Sequence, residues 1–233
     1  MKCCCSNCSK DICLKKVSLF NSLSDEELLD IRQNVVSKEY SKGDLIFREG
    51  SNGKTLYFIN EGKIKLYKYT KYGKEQILHI LSDGDFFGEL NLLKDSSYKF
   101  NAMALSDCKI CSLSKDELKS IIMKNPEIGI KILEILAERL SDTESLVQNI
   151  ASNDGDSRIA YLLIELAEKY GEPVGEYINI DLPILRDDMA NYTGVTRETI
   201  SRKLRKFHDD KLIKVVGTKK IVILDKKGLK EYI

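Results

Sequence analysis

Two sets of residues in this chain have types and spacings that can do chemistry. The first is thiol-based. Five of the seven cysteines fall within the first thirteen residues, at Cys3, Cys4, Cys5, Cys8 and Cys13, and the other two are Cys108 and Cys111. Clustered thiolates are ligands for zinc or for iron–sulfur clusters. A disulfide framework would spread an even number of cysteines along a short secreted chain, which 233 residues do not need. The second set lies between Leu185 and Leu204 and holds Gly194, Thr196, Arg197, Glu198, Ser201 and Arg202, with Arg205 one residue beyond. Arginine can hold guanine O6 and N7 bidentately, and glutamate can accept from cytosine N4, so such a row can read a G·C pair.

The elements needed to present this second row are written around it. Gly194 stands where a tight turn needs positive φ, and Thr196 is placed to cap the helix that follows. Ile200, Leu204 and Phe207 recur at i, i+4 and i+7, one buried face, which leaves Arg197, Glu198, Ser201, Arg202 and Arg205 outside. From Thr196 to Lys220 nine Lys and Arg stand against three acidic residues, although the whole chain carries only +1. A basic patch is therefore concentrated here. No paired carboxylates, nucleophile elbow or phosphate loop stands out, so the chain does not read as an enzyme. His79 and His208 read as a strand-surface and a helix-end residue rather than as ligands.

With 42% hydrophobic and 31% charged residues the chain has ordinary globular composition. Its apolar runs are too short for a membrane span, and Met1–Leu14 lacks the apolar core of a signal peptide, so an intracellular, cytoplasmic protein is expected. Residues 1–18 read as a Cys-rich arm. Ser24 with Glu27 is a capping box opening a helix to about Val36. From Glu39 to Leu113, short apolar or alternating runs alternate with Gly turns, the pattern of a β-roll or jelly-roll. Ser114 to Glu117 opens another helix, and a long one follows Asn125-Pro126. Its Ile128, Ile132, Ile135, Leu136, Leu140 and Val147 recur at steps that suit either its own domain or a second copy; a second copy is the preferred reading. Residues 152–156 form a polar hinge. A helix to Tyr170, two helices near 183–192 and 196–209, and a hairpin over 212–224 then make a winged helix–turn–helix. The expected fold is α+β: arm 1–18, β-roll sensor 19–122, dimerisation helix 123–151 and winged helix–turn–helix 152–233.

In that order of parts, and in Val195-Thr196-Arg197-Glu198-Thr199-Ile200-Ser201-Arg202 and Gly84-Asp85-Phe86-Phe87-Gly88-Glu89-Leu90, the chain resembles the CRP/FNR family of bacterial transcription regulators over residues 18–224. The resemblance implies a cyclic-nucleotide-binding-like roll, a homodimer on a twofold-symmetric double-stranded DNA operator, and RNA polymerase as a partner. Arg197, Glu198 and Arg202 match the base-reading positions of the cyclic-AMP receptor branch; Glu198, Ser201 and Arg202 match those of the FNR branch.

The two branches imply different effectors. The cyclic-nucleotide branch grips its phosphate with Arg-Ser, where this chain has Lys99-Phe100. A planar fork is replaced by a point charge and a hydroxyl by a ring, which reads against cyclic AMP. The FNR branch binds a [4Fe–4S] cluster through three cysteines of the arm and one of the roll. Similarity places Cys111 on the roll position, and Cys5, Cys8 and Cys13 give C-x2-C-x4-C, one residue shorter than the family's arm. Cys108, three residues before Cys111, should point to the other face of its strand. The expectation is thus a regulator sensing O2, redox state or NO through a Cys-ligated cluster. The alternatives are a small molecule or haem in the roll, or a zinc- or thiol-based binding module.

Overall fold

The computed structural model describes residues 12–20, 23–89, 97–151 and 154–233. Cys3, Cys4, Cys5 and Cys8 lie outside them, as do the side chains of Cys13 and Val147. The chain divides into two compact units, one comprising residues up to Lys68 with Ile77–Glu138, the other Tyr69–Gln76 with Arg139–Ile233.

The first unit is a β-roll of two antiparallel sheets. One has the order β1 (Val36–Tyr40), β8 (Cys108–Ser114), β3 (Thr55–Glu61), β6 (Phe86–Phe87); the other runs β2 (Leu45–Phe47), β7 (Asn101–Ala104), β4 (Ile64–Tyr69), β5 (Glu75–Leu81). Among the described residues, the α-helices α1 (Ile12–Lys15), α2 (Asp25–Asn34), α3 (Lys115–Lys124) and the start of α4 (Pro126–Ala151) belong to this unit. The capping boxes read from the sequence are present: Ser24 and Ser114 each accept from the backbone N–H three residues on, and Glu27 and Glu117 accept from the cap N–H. Helix α2 stops at Asn34, short of the expected end, because Val36 already pairs with Ser112 in the sheet.

The β8–β3 pair is buried on both faces, which is why its strands read as nearly continuous apolar runs. Tyr57 and Ile59 of β3 and Cys108 and Ile110 of β8 turn to the roll interior, with Phe47, Phe87 and Tyr98. Leu56, Phe58, Cys111 and Leu113 turn the other way, to a cluster completed by Leu14, Val17, Phe20, Ile31, Ile121, Ile128 and Ile132.

That second cluster corrects the expectation for the long helix. Ile128 and Ile132 are core residues of their own unit, and Ile135 and Leu136 pack partly against the same cluster, so these four do not form a free face for a second copy. Among the described residues of α4, the exposed apolar side chains include Ile130, Leu133 and Leu140, each about 60% exposed, with Ala137 exposed between the last two.

The second unit contains α5 (Gly155–Tyr170), α6 (Arg186–Thr193), α7 (Arg197–Asp209), α8 (Lys226–Lys230) and a sheet ordered β11 (Ile213–Val216), β12 (Lys220–Ile223), β10 (Tyr177–Asp181), β9 (Gly171–Val174). The hairpin read from the sequence is thus half of a four-stranded sheet. The expected α+β architecture, a roll, a long helix and a helix–turn–helix with a β-wing, is the one observed. Among the described residues no helix is long and apolar enough to cross a membrane.

Ile128→Ala should lower the unfolding free energy by about 2–5 kcal/mol, the cost of a cavity at a fully buried aliphatic site. Urea unfolding followed by circular dichroism measures it.

Candidate functional site

Helix α7 is set up by its own first turn and by the turn before it. Gly194 ends α6 in the left-handed region, with φ 72° and ψ 18°, so the chain reverses at a residue that has no Cβ to strain. Thr196 is extended, and its hydroxyl accepts from the Thr199 N–H at 3.2 Å, satisfying one of the free donors of the helix start. A carbonyl at the end of α6 is also taken up within this unit: Arg158 Nη1 donates to Thr193 O at 3.0 Å. Ile200, Leu204 and Phe207 are buried to within 1% of completely, and Phe207 meets the Tyr232 ring edge-on at 5.1 Å.

Burial of that stripe leaves Arg197, Glu198, Ser201, Arg202 and Arg205 exposed on one contiguous face, together with the cap Thr196. Ser201 and Arg205 border a shallow concavity of about 340 Å³ that also meets Arg186, His208 and Val215. Arg197 Nη1 lies 3.2 Å from Asp187 Oδ2, but both side chains are about 60% exposed, so the pair is a weak one that a stronger acceptor can displace. Glu198 is held ionised at the helix start by its own backbone N–H and by Thr196, which lower its carboxyl below the usual range. An ionised carboxylate accepts only, which suits a cytosine amino group.

Two members of the basic patch are turned away from this face. Lys203 Nζ is 2.6 Å and Lys206 Nζ 2.8 Å from the carboxylate of Asp156, in the first turn of α5. The sequence pattern gave no sign of this, because the partner is some fifty residues away.

In the roll, the two cysteines separate as the strand period requires. Cys108 faces the interior, with Sγ 3.2 Å from Lys63 O and 3.1 Å from Ser106 O, and burial pushes its thiol pKa up. A Cβ on Gly62 (φ 104°) would sit 2.6 Å from that sulfur, so the site has no room to spare. Cys111 is buried on the opposite face, in the same cluster as Leu14 and Val17, which lie just after Cys13 in the chain. Among the described residues no three metal-ligating side chains come together. Where a cyclic-nucleotide clamp would need Arg-Ser, Lys99 is exposed and the Phe100 ring packs 5.9 Å from Phe47, itself stacked on Tyr98 at 3.8 Å. These two residues do not fit a phosphate clamp.

Residues 37–125 match the cyclic nucleotide-binding domain model, and residues 157–232 match the Crp-like helix-turn-helix domain model. The chain is 34% identical over 189 residues to the cAMP-activated global transcriptional regulator CRP of Pasteurella multocida, covering 81% of this chain and 89% of that one. The chain belongs to the CRP/FNR family of transcription regulators. A second relative, the CRP-like cAMP-activated global transcriptional regulator of Mycobacterium tuberculosis, is 27% identical over 219 residues, 94% of this chain and 97% of its own. The structure of a CooA mutant from Carboxydothermus hydrogenoformans shares the fold, with a TM-score of 0.79 over 96% of each chain at 20% identity. As a member of this family the chain is a DNA-binding transcription regulator and not an enzyme.

Gly194→Ala should cost about 1–2 kcal/mol, because an L side chain must adopt the left-handed conformation there. Thermal melting of the purified variant measures it.

Proposed function

We propose that Arg197, Glu198, Ser201 and Arg202 read base edges in a major groove, with Thr196 and Arg205 on the flanking backbone, and that two copies of the chain present two such helices to a twofold-symmetric operator. The observation that carries this is the division of α7 into a fully buried apolar stripe and one exposed face holding all six residues. A second copy is supported by Ile130, Leu133, Ala137 and Leu140, which repeat at steps of three, four and three and stand exposed on α4. That repeat is a coiled-coil seam. It replaces the seam expected from the sequence, keeping Leu140 alone of the described members. Half-sites read by a dimer lie about one helical turn apart. RNA polymerase is the protein partner this reading implies, and the cytoplasm, where the chromosome lies, is its compartment.

For the signal, the reading rests on thiols rather than on a nucleotide. The Pasteurella and Mycobacterium relatives are called cAMP-activated. Lys99 and Phe100 do not reproduce a phosphate clamp here, and Cys111 is buried beside the residues that follow the thiol-rich arm. Cys111, with Cys5, Cys8 and Cys13 of the arm, would hold a [4Fe–4S] cluster, which when bound supplies reactivity toward O2 and NO. Cys108 is left out, because its sulfur is already engaged by two carbonyls in a packed interior. What this chain's residues contribute is placement: Leu14 and Val17 pin the exit of the arm to the apolar cluster that also contains Ile128 and Ile132 of α4.

Two measurements test these assignments. Duplexes selected by the wild-type chain from a random-sequence pool should contain inverted repeats, and Arg202→Ala should weaken binding to them by about 1–3 kcal/mol while relaxing the preference at one base pair. A uniform loss over all sequences would make Arg202 a phosphate contact instead. After anaerobic reconstitution with iron and sulfide, Cys111→Ser should lose the thiolate-to-iron absorption and Cys108→Ser should retain it. The reverse result, or retention in both, removes Cys111 from the ligand set.

A further inference from the structure

Among the described residues of the second unit, Asp156 is the acidic side chain that is both buried, at 7% exposure, and shared between two lysines of α7. Its backbone N–H is bound by Asp154 Oδ1 at 2.9 Å, which fixes the carboxylate at the start of α5. Lys203 and Lys206 are one turn apart on α7, on the flank that faces α5, and Lys206 Nζ also lies 5.1 Å from the centre of the Tyr232 ring. Burial alone would raise the Asp156 carboxyl pKa, yet the two ammonium groups hold it below the usual range. The group is therefore a carboxylate whose charge is spent inside the protein.

Lysine at these two positions has a consequence for DNA. Affinity for a duplex of any sequence grows with the number of cations that replace counterions on phosphates, whereas base reading depends on the groups aimed at the groove. Two free lysines on the flank of the reading helix would add to the first and not to the second.

We propose that Asp156 is a specificity-determining residue: an internal counter-ion that withholds Lys203 and Lys206 from the phosphate backbone and so lowers binding to non-cognate DNA. This rests on the DNA-binding reading of α7. Asp156 touches no base in this role; it acts through the two lysines.

The test measures binding to a short random-sequence duplex over a series of salt concentrations by fluorescence anisotropy. Asp156→Asn should bind about tenfold more tightly at low salt, with a logarithmic salt dependence steeper by about two. The Lys203→Gln/Lys206→Gln variant should keep the wild-type salt dependence, and combining all three substitutions should bring the steepened dependence back to it. Asp156→Glu, which keeps a carboxylate, should stay near wild type. A dependence unchanged or shallower in Asp156→Asn, or one shallower by about two in the lysine double variant, overturns the inference while leaving the function intact. Failure of the wild-type chain to bind any duplex overturns both.

Discussion

Everything that α7 can do depends on Ile200, Leu204 and Phe207 staying buried. Each contributes on the order of 1.5–3 kcal/mol when removed from water, whereas the exposed Arg197–Asp187 pair contributes a fraction of that. The apolar stripe therefore decides which face of the helix is hidden, and the charged residues are exposed as a consequence. Directional contacts then refine the placement: the Thr196 cap fixes where the helix begins, Gly194 fixes the angle at which it leaves α6, and Asp156 pairs with Lys203 and Lys206 on its flank.

The same logic of opposite faces governs the roll. Strand β8 is covered on both sides, so three residues along it separate two cysteines with different chemistry. Cys108 is a small core residue that lends its S–H to backbone carbonyls and has its thiol form favoured by burial. Cys111, on the helix side, shares its surroundings with Leu14 of α1 and with Val17. A single sheet thus sorts two identical side chains into a packing role and a position beside the exit of the arm.

Features that depend on local chemistry are legible in the residues themselves: both capping boxes, the left-handed glycine between α6 and α7, the buried stripe of α7 and the opposed faces of Cys108 and Cys111. Features that depend on distant neighbours are not. Strands β1, β7 and β9 are short and weakly patterned, and become strands only through the partners they pair with. Pro173 is tolerated in β9 because that strand lies at the edge of its sheet. Lys203 and Lys206 count as DNA-facing charge in any linear tally, and only the fold reveals Asp156 beneath them.

Helix α4 shows why periodicity could not choose its seam. The helix carries two apolar rows, Ile128 with Ile132 and Ile135 on one side and Ile130 with Leu133 and Ala137 on the other. Either row satisfies a three–four spacing, so the pattern alone cannot say which one the chain's own core consumes. The structure assigns the first row to the cluster around Cys111 and leaves the second exposed. The two rows are borne on one helix, so a rearrangement around Cys111 that shifts Ile128 and Ile132 also moves the exposed row. Close-packed interiors transmit such shifts because they have few voids in which to absorb them. In the proposed reading, sensing at Cys111 and association of two copies would therefore act on two sides of the same helix.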